Sequence, residues 1–136
     1  MLNRKIQYQV DRANHYFDKN KLDDALSYWM AALKLVPLPR VSQPGLNVGV
    51  IFSGIGDCYF FKAEYNKAKV WFDQSLVITD IGDKAMAYLQ LRLGMIHYEL
   101  GNFSTSRDYF EMAMTLSGGV HIFDGEDIKY KNSIIT

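Results

Sequence analysis

Apolar residues in this chain recur every three or four positions over long stretches, and strict alternation is absent. That is the period of helices with one buried face. Residues 3–19, 22–35, about 44–62, 65–79, 83–100 and 103–117 each read as an amphipathic helix. Short polar breaks separate the members of three pairs: Lys19-Asn20-Lys21, Ala63-Glu64 and Gly101-Asn102. One stretch resists this reading at first sight. The apolar run Val48 to Phe52 leads into Gly54-Ile55-Gly56, with Asp57 and Cys58 behind it, and a strand feeding a phosphate-binding turn would look similar.

Comparing the three pairs with one another settles the stretch as helical. Ala13, Tyr16, Leu22, Ala25, Trp29, Ala32 and Pro37 stand at fixed offsets in the first. Gly56, Tyr59, Tyr65, Ala68, Phe72 and Ser75 occupy the same offsets in the second, and Gly94, His97, Phe103, Ser106, Phe110 and Ala113 in the third. A period of this kind marks a helical repeat protein. Small residues at Ala13, Gly56 and Gly94 would face Ala25, Ala68 and Ser106, letting two helices cross closely. Gly56 is therefore expected to mark a helix crossing, with Gly56→Ala mild and Gly56→Leu overpacked.

The pattern of small and aromatic residues resembles the tetratricopeptide repeat (TPR) family, over roughly residues 6 to 118. Repeat two keeps Phe52 and Ile55 at the opening signature positions, whereas repeat one has Gln9 and Arg12 there and repeat three has Gln90 and Leu93. The spacing exceeds the family's usual period of about 34 residues. Gly56 follows Ala13 by 43 residues and Gly94 follows Gly56 by 38. The first excess lies in Pro37 to Pro44, where Ser42 suits an N-cap and Pro44 an early helical position. The second is Thr79 to Asp83.

The resemblance implies an all-α fold: a right-handed superhelical solenoid of three helix-turn-helix repeats plus a C-terminal capping helix. The expected organisation is a single domain over 1–136. Repeat one covers about 3–37, a Pro-rich connector 37–44, repeat two about 45–80, repeat three about 83–118, and a cap 119–136. Val120, Ile122, Phe123, Ile128, Tyr130, Ile134 and Ile135 supply the cap's apolar side, with Asp124-Gly125-Glu126-Asp127 at its start. The last phrase resembles the closing segment of small stand-alone bacterial TPR proteins.

Composition narrows the chemistry. Nine Tyr, eight Phe and two Trp among 136 residues favour a filled core. Fifteen basic and fifteen acidic side chains cancel, so no global field favours nucleic acid or a membrane surface. A single cysteine excludes an intramolecular disulfide and a Cys-rich zinc site. No signal pattern or membrane-length apolar run occurs, and the expected location is cytoplasmic. Gly54-Ile55-Gly56 fails as a dinucleotide fingerprint because Tyr59 holds the third glycine place. Cys58 reads as a small packed thiol. His15 and His97 read as core histidines, and Asp124, Glu126 and Asp127 as a helix cap rather than a calcium loop. No cofactor, metal site or catalytic constellation is expected.

Function then falls to a surface. In the TPR family the first helix of each pair lines a concave groove. Carrying its offsets over gives Gln7, Asp11, Asn14, Phe17 and Asp18 in repeat one, and Ser53, Asp57 and Phe61 in repeat two. Repeat three gives Tyr88, Arg92, Met95, Tyr98 and Glu99. Val10, Val50, Gly54, Phe60 and Leu91 fall at further groove offsets, with Phe60 and Leu91 the best candidates for core. The family's carboxylate clamp for chaperone tails wants Lys and Asn where Val10, Asp11, Ser53 and Gly54 stand, and only Asn14 fits. The resemblance thus implies a non-enzymatic protein-binding module with an aromatic, acidic groove. Its expected partner is a protein, either a basic toxin domain neutralised by an immunity-type protein or an extended peptide held by a secretion chaperone or scaffold. A ligand-regulated or enzymatic role ranks last. The expected state is a monomer or weak dimer.

Overall fold

Seven α-helices and one short 3-10 helix make up the regular structure of the computed structural model, which describes residues 2–38, 40, 47–78 and 82–135. No strand occurs among these residues. The helices are α1 (Leu2–Asp18), α2 (Leu22–Leu35), α3 (Val48–Phe61), α4 (Tyr65–Ile78), α5 (Asp83–Glu99), α6 (Phe103–Ser117) and α7 (Ile128–Ile135), with the 3-10 turn at Val120–Phe123. This is an all-α helical-repeat fold. The chain divides into two compact units, Met1–Asp80 and Ile81–Thr136.

Each pair is closed by the same turn. Asn20, Ala63 and Gly101 stand at equal repeat positions and all adopt positive φ, at 59°, 62° and 82°. The following amide then folds back to a carbonyl five residues earlier: Lys21 to Tyr16 at 2.9 Å, Glu64 to Tyr59 at 2.9 Å and Asn102 to His97 at 2.8 Å. Left-handed closure of this kind satisfies helix-end carbonyls that would otherwise lack donors.

In the first unit α1 packs on α2, α2 on α3, and α3 on α4. Helix α2 ends at Val36, whose extended backbone is what Pro37 requires of its predecessor. The proposed caps Ser42 and Pro44 lie outside the described residues. Asn47 is the observed cap of α3, accepting the Val50 amide at 3.3 Å. Because α3 has a helix on either side, its apolar residues run around most of its circumference, with Val48, Ile51, Ile55, Cys58 and Phe60 all buried.

Its two glycines serve different neighbours. A Cβ on Gly56 would lie 2.9 Å from the Phe72 ring of α4, while one on Gly54 would lie 2.3 Å from the Trp29 ring of α2. Gly54 therefore belongs to the packing between repeats, not to an open groove. The expectation that Gly56→Ala is mild also changes, because the ring of Phe72, fully buried, must move to admit the methyl group.

In the second unit α5 and α6 cross in the same way. Gly94 lies under Phe110, whose ring would be 2.6 Å from a Cβ at that position, and Ser106 donates to the Gly94 carbonyl at 2.7 Å. Full burial of Phe72 and of Phe110 contributes about 1.5–3 kcal/mol each. The C-terminal segment then folds back: Phe123 meets Phe110 edge to face at 5.1 Å, and Tyr130 does so at 6.1 Å. Both tail aromatics are buried.

Candidate protein-binding face

The face of interest in the first unit is set by helical spacing. Gln7, Asp11, Asn14 and Asp18 follow one another at intervals of four, three and four along α1, so they share one side. All four are exposed. Gln7 Nε2 donates to Asp11 Oδ1 at 2.8 Å, fixing the first two side chains together. The side of α1 that enters the core is carried by Ile6, Val10 and Ala13.

At the same repeat positions, α3 offers Val50, Gly54, Asp57 and Phe61. Val50 and Phe61 are exposed, at 45% and 47%, and Asp57 is half-buried. Phe17 from α1 meets Phe61 from α3 edge to face at 5.7 Å, joining the two helices into one surface. Phe61 in turn rests edge-on against the buried Phe60 at 5.1 Å. Ser53 turns inward. Its hydroxyl lies 3.0 Å from that of Ser75, which itself donates to the Gly49 carbonyl at 3.1 Å. Because Ser75 has only one proton, Ser53 is the donor of that pair. The two helices thus share an aromatic pair, with Asp11 and Asp18 exposed on α1 and Asp57 half-buried on α3.

The second unit treats the equivalent positions differently. Arg92 and Met95 are buried, and Tyr88, Tyr98 and Glu99 are half-buried. Arg92 donates Nε to the Tyr88 hydroxyl at 3.2 Å, stacks over that ring, and pairs Nη1 with Glu126 at 3.0 Å. Glu99 receives the Tyr130 hydroxyl at 2.8 Å and Lys129 Nζ at 2.6 Å. Tyr98 contacts Phe103 and Tyr130 edge to face, at 5.2 and 5.3 Å. The sequence signal for these tail partners was an arginine at the place that holds Asp11 in α1 and Gly54 in α3. Glu126 is not a helix cap, as the acidic cluster had suggested. Asp127 takes that part, accepting the Lys129 amide at 3.0 Å.

The remaining candidates are structural. Phe60 and Leu91 are core residues. Cys58 is wholly buried, and burial, aided by the charge of Asp57, pushes its thiol from the ordinary 9.0 up to about 12. Such a thiol is protonated and inert near neutrality. His97 is buried, stacked on Tyr109 at 5.3 Å and 3.3 Å from the Asn102 side chain. His15 departs from the expected core position: it is exposed, with its ring edge against Tyr16 at 5.2 Å. Among the described residues no cluster of His, Cys, Asp and Glu could hold a metal ion, and no helix is long and apolar enough to cross a membrane.

The sequence matches no family model and no curated protein. Solved structures do match the architecture. The TPR domain of Arabidopsis OM64 superposes with a TM-score of 0.74 at 14% identity, covering 97% of this chain and 98% of that one. The second TPR domain of human RPAP3, solved with the HSP70 peptide SGPTIEEVD, gives 0.72 at 18% identity, with 96% and 98% covered. This chain has the TPR fold. In the TPR2AB-domain–pHSP90 complex of yeast Sti1 the TM-score is 0.71 at 14% identity. There 94% of this chain matches, spanning 45% of the Sti1 chain. Identities this low speak for the TPR fold alone, so the chemistry of the face must be argued from its own residues.

Proposed function

We propose that this protein is a non-catalytic protein-binding module whose α1–α3 face holds a basic, partly apolar surface of a partner protein. The observation that carries the reading is that α1 exposes Asp11 and Asp18 on the face where Phe17 meets the half-exposed Phe61 of α3. An aromatic anchor gives contact area at low entropic cost, and flanking carboxylates select a cationic partner and speed its approach. The human RPAP3 domain was solved with a peptide ending in EEVD. An acidic tail of that kind would be repelled by the exposed carboxylates of Asp11 and Asp18, so the sign of charge separates this face from that use of the fold. More narrowly, the module neutralises a basic toxin domain by occluding its charged surface.

A second reading comes from the same neighbour: its ligand is a short peptide, which favours an extended segment over a folded domain. The test is affinity capture from the source organism, followed by calorimetry with the captured partner. The Asp11→Lys/Asp18→Lys variant should lose about tenfold or more in affinity and show a shallower salt dependence. Both side chains are exposed, so the variant should melt as the parent does. Unchanged affinity removes this face from the binding site. Limited proteolysis of the partner, alone and bound, tells a folded toxin domain from an extended client.

A further inference from the structure

In the second unit the line Tyr88, Arg92, Met95 and Glu99 occupies the repeat positions that α1 leaves exposed, and the chain's own C-terminal segment engages it at Arg92 and Glu99. We infer that this segment is a displaceable ligand held in cis. The α5 face is then a second binding site, for a protein segment presenting a carboxylate about one helical turn before a tyrosine.

Three observations support this. First, the contacts that hold the tail on α5 are those of specific recognition. Glu126 pairs with Arg92 at 3.0 Å, with side chains 20% and 8% exposed. Four residues on, the Tyr130 hydroxyl reaches Glu99 at 2.8 Å and its ring meets Tyr98. Ion pairs out of water add little net stability compared with apolar packing but discriminate strongly between partners.

Second, the tail is jointed. Gly118, Gly119 and Gly125 have φ of 93°, 151° and 83°, values that side-chain-bearing residues rarely adopt. They bracket the 3-10 turn, so Val120–Phe123 and α7 follow α6 as two short separate pieces. Third, Tyr130 is the buried residue of α7, and most of the rest of that helix lies toward the surface. The helix is eight residues long, too short to persist by itself in water. Ile128 and Ile135 are each 61% exposed. A cleft of about 340 Å³ is lined by Tyr98, Phe103, Ser104, Arg107 and Ser133, beside the 3.0 Å bond that Arg107 donates to the Ser133 carbonyl. This site lies in the other unit from the Asp11–Asp18 face, so either can fail without the other.

The test uses the full chain and a labelled peptide with the sequence of residues 120–136. Glu126→Gln with Tyr130→Phe keeps side-chain volume while removing the charge and the hydroxyl. That variant should bind the peptide about tenfold more tightly than the parent, whose site is filled in cis. A peptide carrying the same two changes should bind neither protein. Equal affinity of the two proteins for the natural peptide overturns the inference. Should the variant prove poorly folded, hydrogen exchange on the parent decides. Amides of α7 should exchange well before those of α6, by local opening. Exchange of both at one common rate would make the tail an integral part of the core and end the proposal.

Discussion

Asn14 in α1 and Met95 in α5 stand at the same repeat position, and their surroundings are opposites. Asn14 lies exposed between Asp11 and Asp18, while Met95 is 1% exposed, with the Arg92 guanidinium 3.3 Å from its sulfur. A repeat places a side chain on a face of its helix, but what covers that face is decided by chain outside the repeat. In the first unit α1 and α3 present an acidic aromatic surface. In the second, Glu126, Lys129 and Tyr130 have taken up the equivalent surface.

Putting an identical side chain at the two places tests the contrast most severely. Met95→Asp removes a buried apolar side chain and sets a carboxylate in competition with Glu126 for Arg92, and should destabilise the second unit by about 2–5 kcal/mol. Asn14→Asp adds the same charge to an exposed site and should stay within about 0.5 kcal/mol of the parent. Urea unfolding followed by circular dichroism gives both values. A mild Met95→Asp would mean that α5 is as open as α1.

The next position along sharpens the contrast within the first unit. Asp11 and Gly54 are repeat equivalents, yet a methyl group on Gly54 would sit 2.3 Å from the Trp29 ring. Trp29 is itself 3% exposed and has little room to retreat. Gly54→Ala should cost about 1–3 kcal/mol by overpacking, against near neutrality for Asp11→Ala. Gly56→Ala should fall between them, because its 2.9 Å approach to Phe72 needs a smaller shift. Thermal melts of the three variants rank them. If Gly54→Ala melts with Asp11→Ala, then Trp29 is not what requires the glycine.

These differences mark what the sequence could and could not tell. Helix positions were legible because each helix buries one side, and period alone reports that. α3 was harder, since a helix buried on two sides loses its polar stripe and starts to look like a strand. Asp11, Asn14, Asp18 and Phe61 are exposed, as their offsets along the helices lead one to expect. Gly54 was misplaced because an offset names a direction on the helix, not the Trp29 ring waiting there from the previous repeat. The pairing of Arg92 with Glu126 was only half legible for a similar reason: the arginine at that offset marks one partner, but the other lies 34 residues on, in a segment outside the period. His15 shows the converse error, a position inside the period whose burial was assumed from its repeat equivalents.

The smallest effect concerns the turns, where the units differ by one residue type in the same conformation. Ala63 has φ 62° and Gly101 has φ 82°. A left-handed alanine carries a penalty of roughly 1–2 kcal/mol, while glycine costs about 0.5–1 kcal/mol more in lost chain entropy on folding. The first outweighs the second, so Ala63→Gly should stabilise the first unit by about 0.5–1 kcal/mol. Gly101→Ala should destabilise the second by a similar amount. A Cβ on Gly101 would meet nothing within 4 Å, so that change isolates backbone conformation from packing. If both substitutions destabilise, the turn at Ala63 is held by side-chain contacts of the alanine and is not equivalent to the turn at Gly101.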